Sequence, residues 1–194
     1  MRQIYPEPAD LGRDGLAACY AYPDLPVAGR EGGLRWWLRA NMVTSLDGAA
    51  TVGGRSGGLS GGADQDVFAL LRALADVIIV GAGTARAERY GPVRPGQEGV
   101  QWAWLRDGRP AAPPIAVVTR QLSIDPASRL LAQLIEAGLV DELCLTISPL
   151  LTGPGAARIV AGTGPLPGGA RPVTLAHVLV QDGHLLCRYT RPPA

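Results

Sequence analysis

The stretch Leu-Leu-Arg-Ala-Leu-Ala-Asp-Val-Ile-Ile-Val-Gly-Ala-Gly-Thr, residues 70–84, decides the fold. Its first part continues an apolar stripe that starts at Val67 and recurs at i+3, i+4 and i+7, the spacing of an amphipathic helix. Its second part, 76–80, holds a short continuous apolar run of the kind found in central parallel strands. A helix that leads directly into such a strand predicts an α/β protein.

The regions on either side extend this alternation of strands and helices. Residues 115–119 predict another buried strand, and Asp125-Pro126 predicts the start of a helix that ends at Gly138. Residues 141–148 predict a strand, and 173–181 with 184–190 predict a closing hairpin around Asp182-Gly183. Together they predict an α/β fold with a mostly parallel central sheet, an antiparallel hairpin at the C-terminal end and helices on both faces.

The N-terminal part divides into two regions. Residues 1–33 are rich in proline, glycine and charge, and they predict an irregular arm with a short helix near residues 16–20. Residues 34–42 predict a strand that runs into Ser-Leu-Asp-Gly, 45–48, and then into a glycine-rich loop from Gly53 to Gly62. We therefore expect an N-terminal arm at 1–33 and one domain at 34–194.

The composition excludes several kinds of chemistry. All 18 basic residues are arginine, so a lysine Schiff base, a pyridoxal phosphate anchor and a lysine-dependent P-loop are excluded. A net charge of +1 argues against nucleic acid or an anionic membrane as the main partner. The three cysteines form no spaced motif and no zinc site, which predicts reduced thiols in a cytoplasmic protein and no metal.

Four features are candidates for a ligand site, each with a structural alternative. Gly81-Ala82-Gly83-Thr84 follows a strand, where phosphates often bind in α/β sheets, but Arg86 stands where a dinucleotide fingerprint needs glycine, so a tight turn is the alternative. Asp47 either orients a ligand or caps the turn before Gly48. Arg72 and Arg120 either bind phosphate, with Arg120 placed to prefer NADPH over NADH, or are solvated surface charges.

Five segments in order give the chain a family resemblance. They are Ser-Leu-Asp-Gly (45–48), the glycine-rich loop with Ser56 and Ser60, the stretch 70–84, Ala-Gly-Leu-Val-Asp-Glu-Leu (137–143) and Ser-Pro-Leu-Leu-Thr-Gly (148–153). Over residues 34–190 the chain resembles the reductase domain of bacterial riboflavin biosynthesis. The resemblance implies a dihydrofolate-reductase-like fold, and an enzyme that reduces a ribosylamino-pyrimidine phosphate with NADPH.

The resemblance also implies roles for individual residues. Asp47 matches the signature carboxylate of the family and is the predicted catalytic residue. The predicted substrate-binding residues are Ser56, Arg72 and Arg94, with both arginines on the phosphate. The predicted cofactor-binding residues are Val43, Gly81, Gly83, Thr84, Glu88, Arg120, Arg129, Leu130 and Leu131, and Glu88 stands where the family usually has aspartate.

One departure from the family lies near residues 126–129. A strand, a helix and a further strand ending in a Glu-Gly-Gly-Pro loop, which carries the cofactor pyrophosphate in the family, have no counterpart here. If the enzyme is complete, we expect a pyrimidine reductase, or alternatively a dihydrofolate-reductase-like pterin reductase. If the deletion leaves the cofactor site incomplete, we expect a non-catalytic homodimeric binding protein, because a missing strand exposes sheet edges that dimerisation can cover.

Overall fold

A computed structural model describes residues 1–24, 36–88, 100–119, 129–160, 165–166 and 168–192. Its main sheet has six strands in the order β2-β1-β7-β8-β6-β3. The strands are β1 (Arg2–Tyr5), β2 (Ala9–Asp10), β3 (Arg39–Thr44), β6 (Glu142–Ile147), β7 (Thr174–Gln181) and β8 (His184–Thr190). A separate two-stranded sheet joins β4 (Ile78–Gly81) to β5 (Ile115–Val118).

Four α-helices accompany the two sheets. They are α1 (Arg13–Cys19), α2 (Gly62–Leu74), α3 (Ala82–Ala87) and α4 (Arg129–Glu136), and 3-10 helices cover Ser56–Gly58 and Val100–Arg106. The structure confirms the mixed α/β fold, the helix predicted from the stripe that starts at Val67, and the C-terminal hairpin. Asp182, with a φ of 51°, and Gly183, with a φ of 77°, form the tight turn of that hairpin.

The prediction of a mostly parallel central sheet is wrong. Only β3 and β6 run parallel in the main sheet, because the hairpin β7–β8 lies beside β6 and pairs antiparallel with it. β1 then pairs antiparallel with β7 on the far side of the hairpin. The local sequence pattern identifies strands but not their partners, which explains this error. Helices on both faces stay a prediction, since α1 and α2 share one core cluster and α4 contacts β4.

The N-terminal residues belong to the main sheet, so the expectation of an irregular arm is wrong for the part described. Arg2 pairs with Val180 and with Asp10, which makes β1 an inner strand between β7 and β2. The helix expected near 16–20 begins earlier, at Arg13. Residues 25–35 lie outside the described residues, and a domain boundary at 33 stays a prediction.

The core lies between α1, α2 and the main sheet. Tyr20, Leu70, Leu179 and Leu186 are the large side chains of this cluster that are most completely buried, and each has an exposed fraction of 1% or less. The stripe on α2 supplies Val67, Leu70 and Leu71 to it, as its helical spacing predicts. Burial of apolar area in this cluster is the main source of stability for the large sheet.

The strands of the small sheet are more exposed than predicted. Ile79 and Val117 expose 43% and 55% of their surface, and Val80 is the buried apolar residue of β4. Parallel strands are usually covered on both faces, and β4 and β5 pair only with each other among the described residues. The predicted buried character of the run 115–119 is therefore wrong.

Candidate active site

The loop that follows β3 organises the candidate site, and we call residues 45–58 the site loop. Ser45 closes its first turn, since the Ser45 N–H donates to the Ala49 carbonyl and the Ala49 N–H donates to the Ser45 hydroxyl, both at 2.9 Å. Gly48 has a φ of 88°, a conformation that glycine adopts without strain. The turn therefore depends on Ser45 and Gly48 of the quoted Ser-Leu-Asp-Gly motif.

Asp47 fastens the site loop to the loop that follows β6. Its carboxylate accepts hydrogen bonds from the Gly153 N–H at 2.7 Å, the Thr152 N–H at 3.1 Å and the hydroxyl of Ser45. The Ser45 hydroxyl is the largest cause that lowers the pKa of Asp47, followed by the Gly153 N–H, and the pKa falls to about 2. Asp47 thus stays ionised and holds two loops together, which is the geometry of a positioning residue, and its catalytic role stays a prediction.

The far end of the site loop is fastened to the end of α3. The Ser56 N–H donates to Oε1 of Glu88 at 2.7 Å, and Glu88 follows the last residue of α3. This contact brings together Ser56, predicted from the resemblance to bind substrate, and Glu88, predicted to bind cofactor. Their ligand roles stay predictions, and their proximity is a finding.

The predicted glycine loop after β4 is a strand-to-helix junction. Gly81 ends β4, and α3 begins at the next residue, so Gly83 and Thr84 lie in the first turn of α3. Gly81 has a φ of −68°, so no left-handed backbone requires glycine at that position. A Cβ at Gly81 would lie 3.7 Å from the Cβ of Leu130, which brings two predicted cofactor residues into contact range.

The remaining predicted residues are distributed as follows. Val43 is half-buried in β3, directly before Thr44, and Leu131 is buried in α4. Arg72 lies in the last turn of α2, and its guanidinium carbon lies 5.0 Å from the Phe68 ring centroid. Arg72 lies about 15 Å along the helix axis from Gly62, the first residue of α2, and therefore at the end of the helix that is remote from Gly62. Arg94 and Arg120 lie outside the described residues, and Arg129 is described only as the first residue of α4.

Sequence reasoning missed two groups beside the site loop. Thr152 and Gly153 are the donors to Asp47, and although their motif contributes to the family resemblance, nothing in it marks a contact with Asp47. Arg158 was also missed, because nothing in its neighbourhood separates it from the other arginines. The Ala50 N–H donates to the Ala157 carbonyl at 2.7 Å, which fixes the segment before Arg158 against the site loop.

A buried ion-pair cluster lies at the opposite end of the main sheet from the site loop. Glu142 is 1% exposed at the start of β6, and it receives Nε of Arg39 at 2.6 Å and Nε of Arg188 at 2.9 Å. The Trp37 indole also donates to it at 2.8 Å. Burial alone would raise the pKa of Glu142, but the two arginines outweigh burial and lower it. The cluster joins strands and has no contact with the site loop among these residues.

The three cysteines lie in α1, β6 and β8. Cys19, Cys144 and Cys187 are free thiols, and burial is the largest cause that raises the pKa of each. Within the described ranges, no group of three or more histidine, cysteine, aspartate or glutamate side chains could hold a metal ion. Among the same residues, no helix has the length and apolar character needed to cross a membrane.

The fold and the site define an α/β protein whose candidate site is built from loops at the carboxyl ends of the parallel strands β3 and β6. The sequence profile of the family described as the RibD C-terminal domain matches residues 36–133 and 126–183, and the chain belongs to that family. The match is divided into two stretches that overlap at 126–133, the region where this chain lacks a segment that the family resemblance leads us to expect. No curated protein matches the chain significantly.

Solved structures share the fold. A pyrimidine reductase-like protein from Corynebacterium diphtheriae is 21% identical with a TM-score of 0.67, and the match covers 81% of this chain and 92% of that chain. RibD from Acinetobacter baumannii is 16% identical with a TM-score of 0.55, and the match covers 81% of this chain and 58% of that chain. A diaminohydroxyphosphoribosylaminopyrimidine deaminase/5-amino-6-(5-phosphoribosylamino)uracil reductase from Thermotoga maritima is 11% identical with a TM-score of 0.55. The match covers 80% of this chain and 56% of that chain.

Proposed function

We propose that this chain is an NADPH-dependent reductase of a phosphorylated ribosylamino-pyrimidine, and that it acts by hydride transfer. Membership of the RibD C-terminal domain family supports a reductase of the riboflavin pathway. The name of the Thermotoga maritima protein, which shares the fold, includes a reductase of such a substrate. We further propose that the protein is a homodimer with a small-molecule substrate.

The hydrogen bond between Ser56 and Glu88 carries the proposal. A hydride donor and its acceptor must lie side by side, so a reductase needs its substrate loop and its cofactor loop held in contact. The 2.7 Å bond holds the site loop against the end of α3, which follows the proposed cofactor strand β4. Asp47 supplies the second fastening, through the 2.7 Å bond from Gly153.

The residues beside β4 fit a dinucleotide. The junction at Gly81 offers the Thr84 hydroxyl and the first backbone N–H groups of α3, which lack partners within the helix. Leu130 supplies an apolar wall, since its Cβ lies 3.7 Å from the Cβ position of Gly81. NADPH supplies the hydride when it is bound, and the chain contributes binding, orientation and shielding from water.

Arginine must carry the phosphate recognition in a chain without lysine. In this proposal Arg72 and Arg94 bind the substrate phosphate, and Arg120 binds the 2′-phosphate of NADPH. A planar guanidinium fork suits such groups because it donates two parallel hydrogen bonds. Hydride transfer itself requires no amine side chain, so the absence of lysine does not conflict with the proposed reaction.

One observation favours a second candidate function, a non-catalytic homodimeric binding protein. Among the residues that the structure describes, the β4–β5 pair forms its own sheet and is not paired with β3, the strand that leads into the site loop. If no element completes the surface between them, the cofactor site is incomplete. A pterin reductase is the alternative within the enzyme reading, because the fold does not determine the substrate.

Titration with NADPH, followed by fluorescence or calorimetry, tests the proposal directly. We expect binding, followed by oxidation of NADPH when the phosphorylated pyrimidine is added. Absence of binding at millimolar NADPH would reject both enzyme readings and favour the binding protein. Oxidation with dihydrofolate but not with the pyrimidine would favour the pterin reductase.

The choice of cofactor has its own test. We expect Arg120→Ala to weaken binding of NADPH much more than binding of NADH, because only NADPH carries the 2′-phosphate. Equal losses for both cofactors would argue against that role for Arg120. Similarly, Arg72→Ala should weaken binding of a phosphorylated pyrimidine and leave binding of a pterin nearly unchanged.

A further inference from the structure

Arg158 lies with the face of its guanidinium group over Gly48, in the first turn of the site loop. The Cβ position of Gly48 lies 3.8 Å from Nη2, 3.9 Å from Cζ and 3.9 Å from Nη1 of Arg158. Because the three distances are nearly equal, Gly48 lies above the plane of the group and not beyond its edge. The N–H groups point within that plane, so they remain available to a ligand.

Arg158 is an exposed residue, and no described carboxylate forms an ion pair with it. Within the described part of the chain, no carboxylate or carbonyl oxygen accepts a hydrogen bond from it. The neighbouring carboxylate, Asp47, is already occupied by the donors of Ser45, Thr152 and Gly153. Arg13, by contrast, is an exposed arginine that is engaged, since its Nε lies 3.4 Å from Oδ1 of Asp14.

The backbone beside Arg158 is fixed, so its side chain starts from a defined position. The Ala50 N–H donates to the Ala157 carbonyl at 2.7 Å, and Thr152 and Gly153 are held by Asp47. A cation that is anchored at its base and braced against Gly48 loses little further freedom when it binds an anion. A guanidinium in this arrangement matches the paired oxygens of a phosphate group.

We propose that Arg158 binds a phosphate group of the ligand held by the site loop, an inference that rests on the proposed reductase function. This assigns a phosphate contact to a residue outside the set that the family resemblance implies. The phosphate belongs either to the substrate or to the cofactor, since both carry one. Arg158 determines specificity for a phosphorylated ligand and takes no part in the transfer of hydride.

Calorimetric titration of the full chain with ribose 5-phosphate, ribose and NADPH separates the possibilities. We expect Arg158→Gln to raise the Kd of a phosphate-bearing ligand at least about 10-fold, the loss of one charge-assisted hydrogen bond. Arg158→Lys should restore part of that loss, because it returns the charge without the fork. Arg13→Gln, which makes the same change of charge on the surface of α1, should alter neither Kd.

The outcomes distinguish the source of the phosphate. A loss confined to ribose 5-phosphate assigns Arg158 to the substrate, and a loss confined to NADPH assigns it to the cofactor. If wild-type protein binds no phosphate-bearing ligand, or if Arg158→Gln behaves like Arg13→Gln, the proposal for Arg158 is overturned. Absence of NADPH binding or of NADPH oxidation by wild-type protein overturns the reductase proposal as well. Arg158→Gln that behaves like Arg13→Gln, in a protein that still binds and oxidises NADPH, overturns the proposal for Arg158 alone, so the two failures are distinguishable.

Discussion

The Ser56 N–H donates to Oε1 of Glu88 at 2.7 Å, across 32 residues of sequence. The donor is a backbone group on the site loop, which follows β3 of the main sheet. The acceptor is a side chain after α3, which follows β4 of the small sheet. The bond therefore links the two sheets, which no strand pairing connects among the described residues. The side chain of Glu88 spans the distance from the end of α3 to the site loop. The contact makes the position of the far end of the site loop depend on the Glu88 side chain.

Glu88→Ala should therefore loosen the site loop and reduce ligand affinity. Loss of a hydrogen bond to a charged acceptor corresponds to about 2 kcal/mol, or roughly 30-fold in Kd, for any ligand that needs the loop in place. Glu88→Gln keeps an acceptor oxygen and should lose much less. Calorimetry with NADPH and with a phosphorylated pyrimidine measures both variants. Glu136→Ala, at the exposed end of α4, is the matched control, and equal losses for Glu88→Ala and this control would contradict the prediction.

Asp47→Asn should lower stability at neutral pH, because the ionised carboxylate holds Gly153 and Thr152. A carboxyl group whose pKa is lowered on folding stabilises the folded state above its unfolded pKa. That contribution is lost as the pH falls from about 4 towards the folded value of about 2. The urea midpoints of wild type and Asp47→Asn should therefore differ at neutral pH and converge near pH 2.

Asp107→Asn provides the control for this prediction. Asp107 is exposed, and its carboxylate has no hydrogen bond or ion pair among the described residues. Its substitution should leave the pH dependence of the urea midpoint parallel to that of wild type. A constant difference between Asp47→Asn and wild type across the acid range would show that the hydrogen bonds to Asp47 do not depend on its charge.

Glu142→Gln should destabilise the main sheet strongly. The substitution leaves the buried Arg39 and Arg188 without a counter-charge, and breaking a buried ion pair costs about 3 kcal/mol. The free energy of unfolding from urea titration measures this loss. Asp76→Asn removes a carboxylate that is 88% exposed and paired with Arg109, and it should change stability by less than about 0.5 kcal/mol. Similar values for the two variants would contradict the structural role of the buried cluster.

Arg106→Gln should destabilise the end of α2. Arg106 is 6% exposed, and its Nη1 donates to the carbonyls of Ala73 at 3.1 Å and Ala75 at 2.8 Å. These carbonyls lie at the C-terminal end of the helix, where cations are favoured. We expect a loss of about 2 kcal/mol in unfolding free energy. Arg109→Gln, which removes a more exposed cation from the same helix end, should cost less, and the reverse order would contradict this account.

Local periodicity predicted individual elements well. The stripe from Val67 gave α2, and the turn at Asp182-Gly183 gave the hairpin β7–β8. The order of the strands could not be predicted, because pairing between Arg2 and Val180 joins opposite ends of the chain and leaves no local pattern. The four residues of β1 carry no apolar alternation that would mark them as an inner strand.

The candidate site could be predicted only in part, because several of its contacts depend on the fold and not on residue type. The resemblance supplied Asp47, Ser56 and Glu88 by residue type, and the structure brings Ser56 and Glu88 into contact. The donors to Asp47 include the backbone N–H groups of Thr152 and Gly153, which every residue except proline possesses. Side-chain identity therefore cannot indicate them. The position of Arg158 beside Gly48 depends on the fold of the loop before it, and the residues next to Arg158 in the sequence do not predict that position.

Among the described residues the β4–β5 pair is not hydrogen-bonded to the six-stranded sheet, and this has a consequence for the dynamics of the protein. A two-stranded sheet is marginally stable by itself, so its backbone amides should open without unfolding of the six-stranded sheet. Native-state hydrogen exchange should then be faster at 78–81 and 115–118 than at 142–147. Any ligand seated at Gly81 would bind the ordered form of this pair, and its measured affinity would include the free energy of ordering two strands. The small sheet therefore makes ligand capture and local folding one coupled equilibrium.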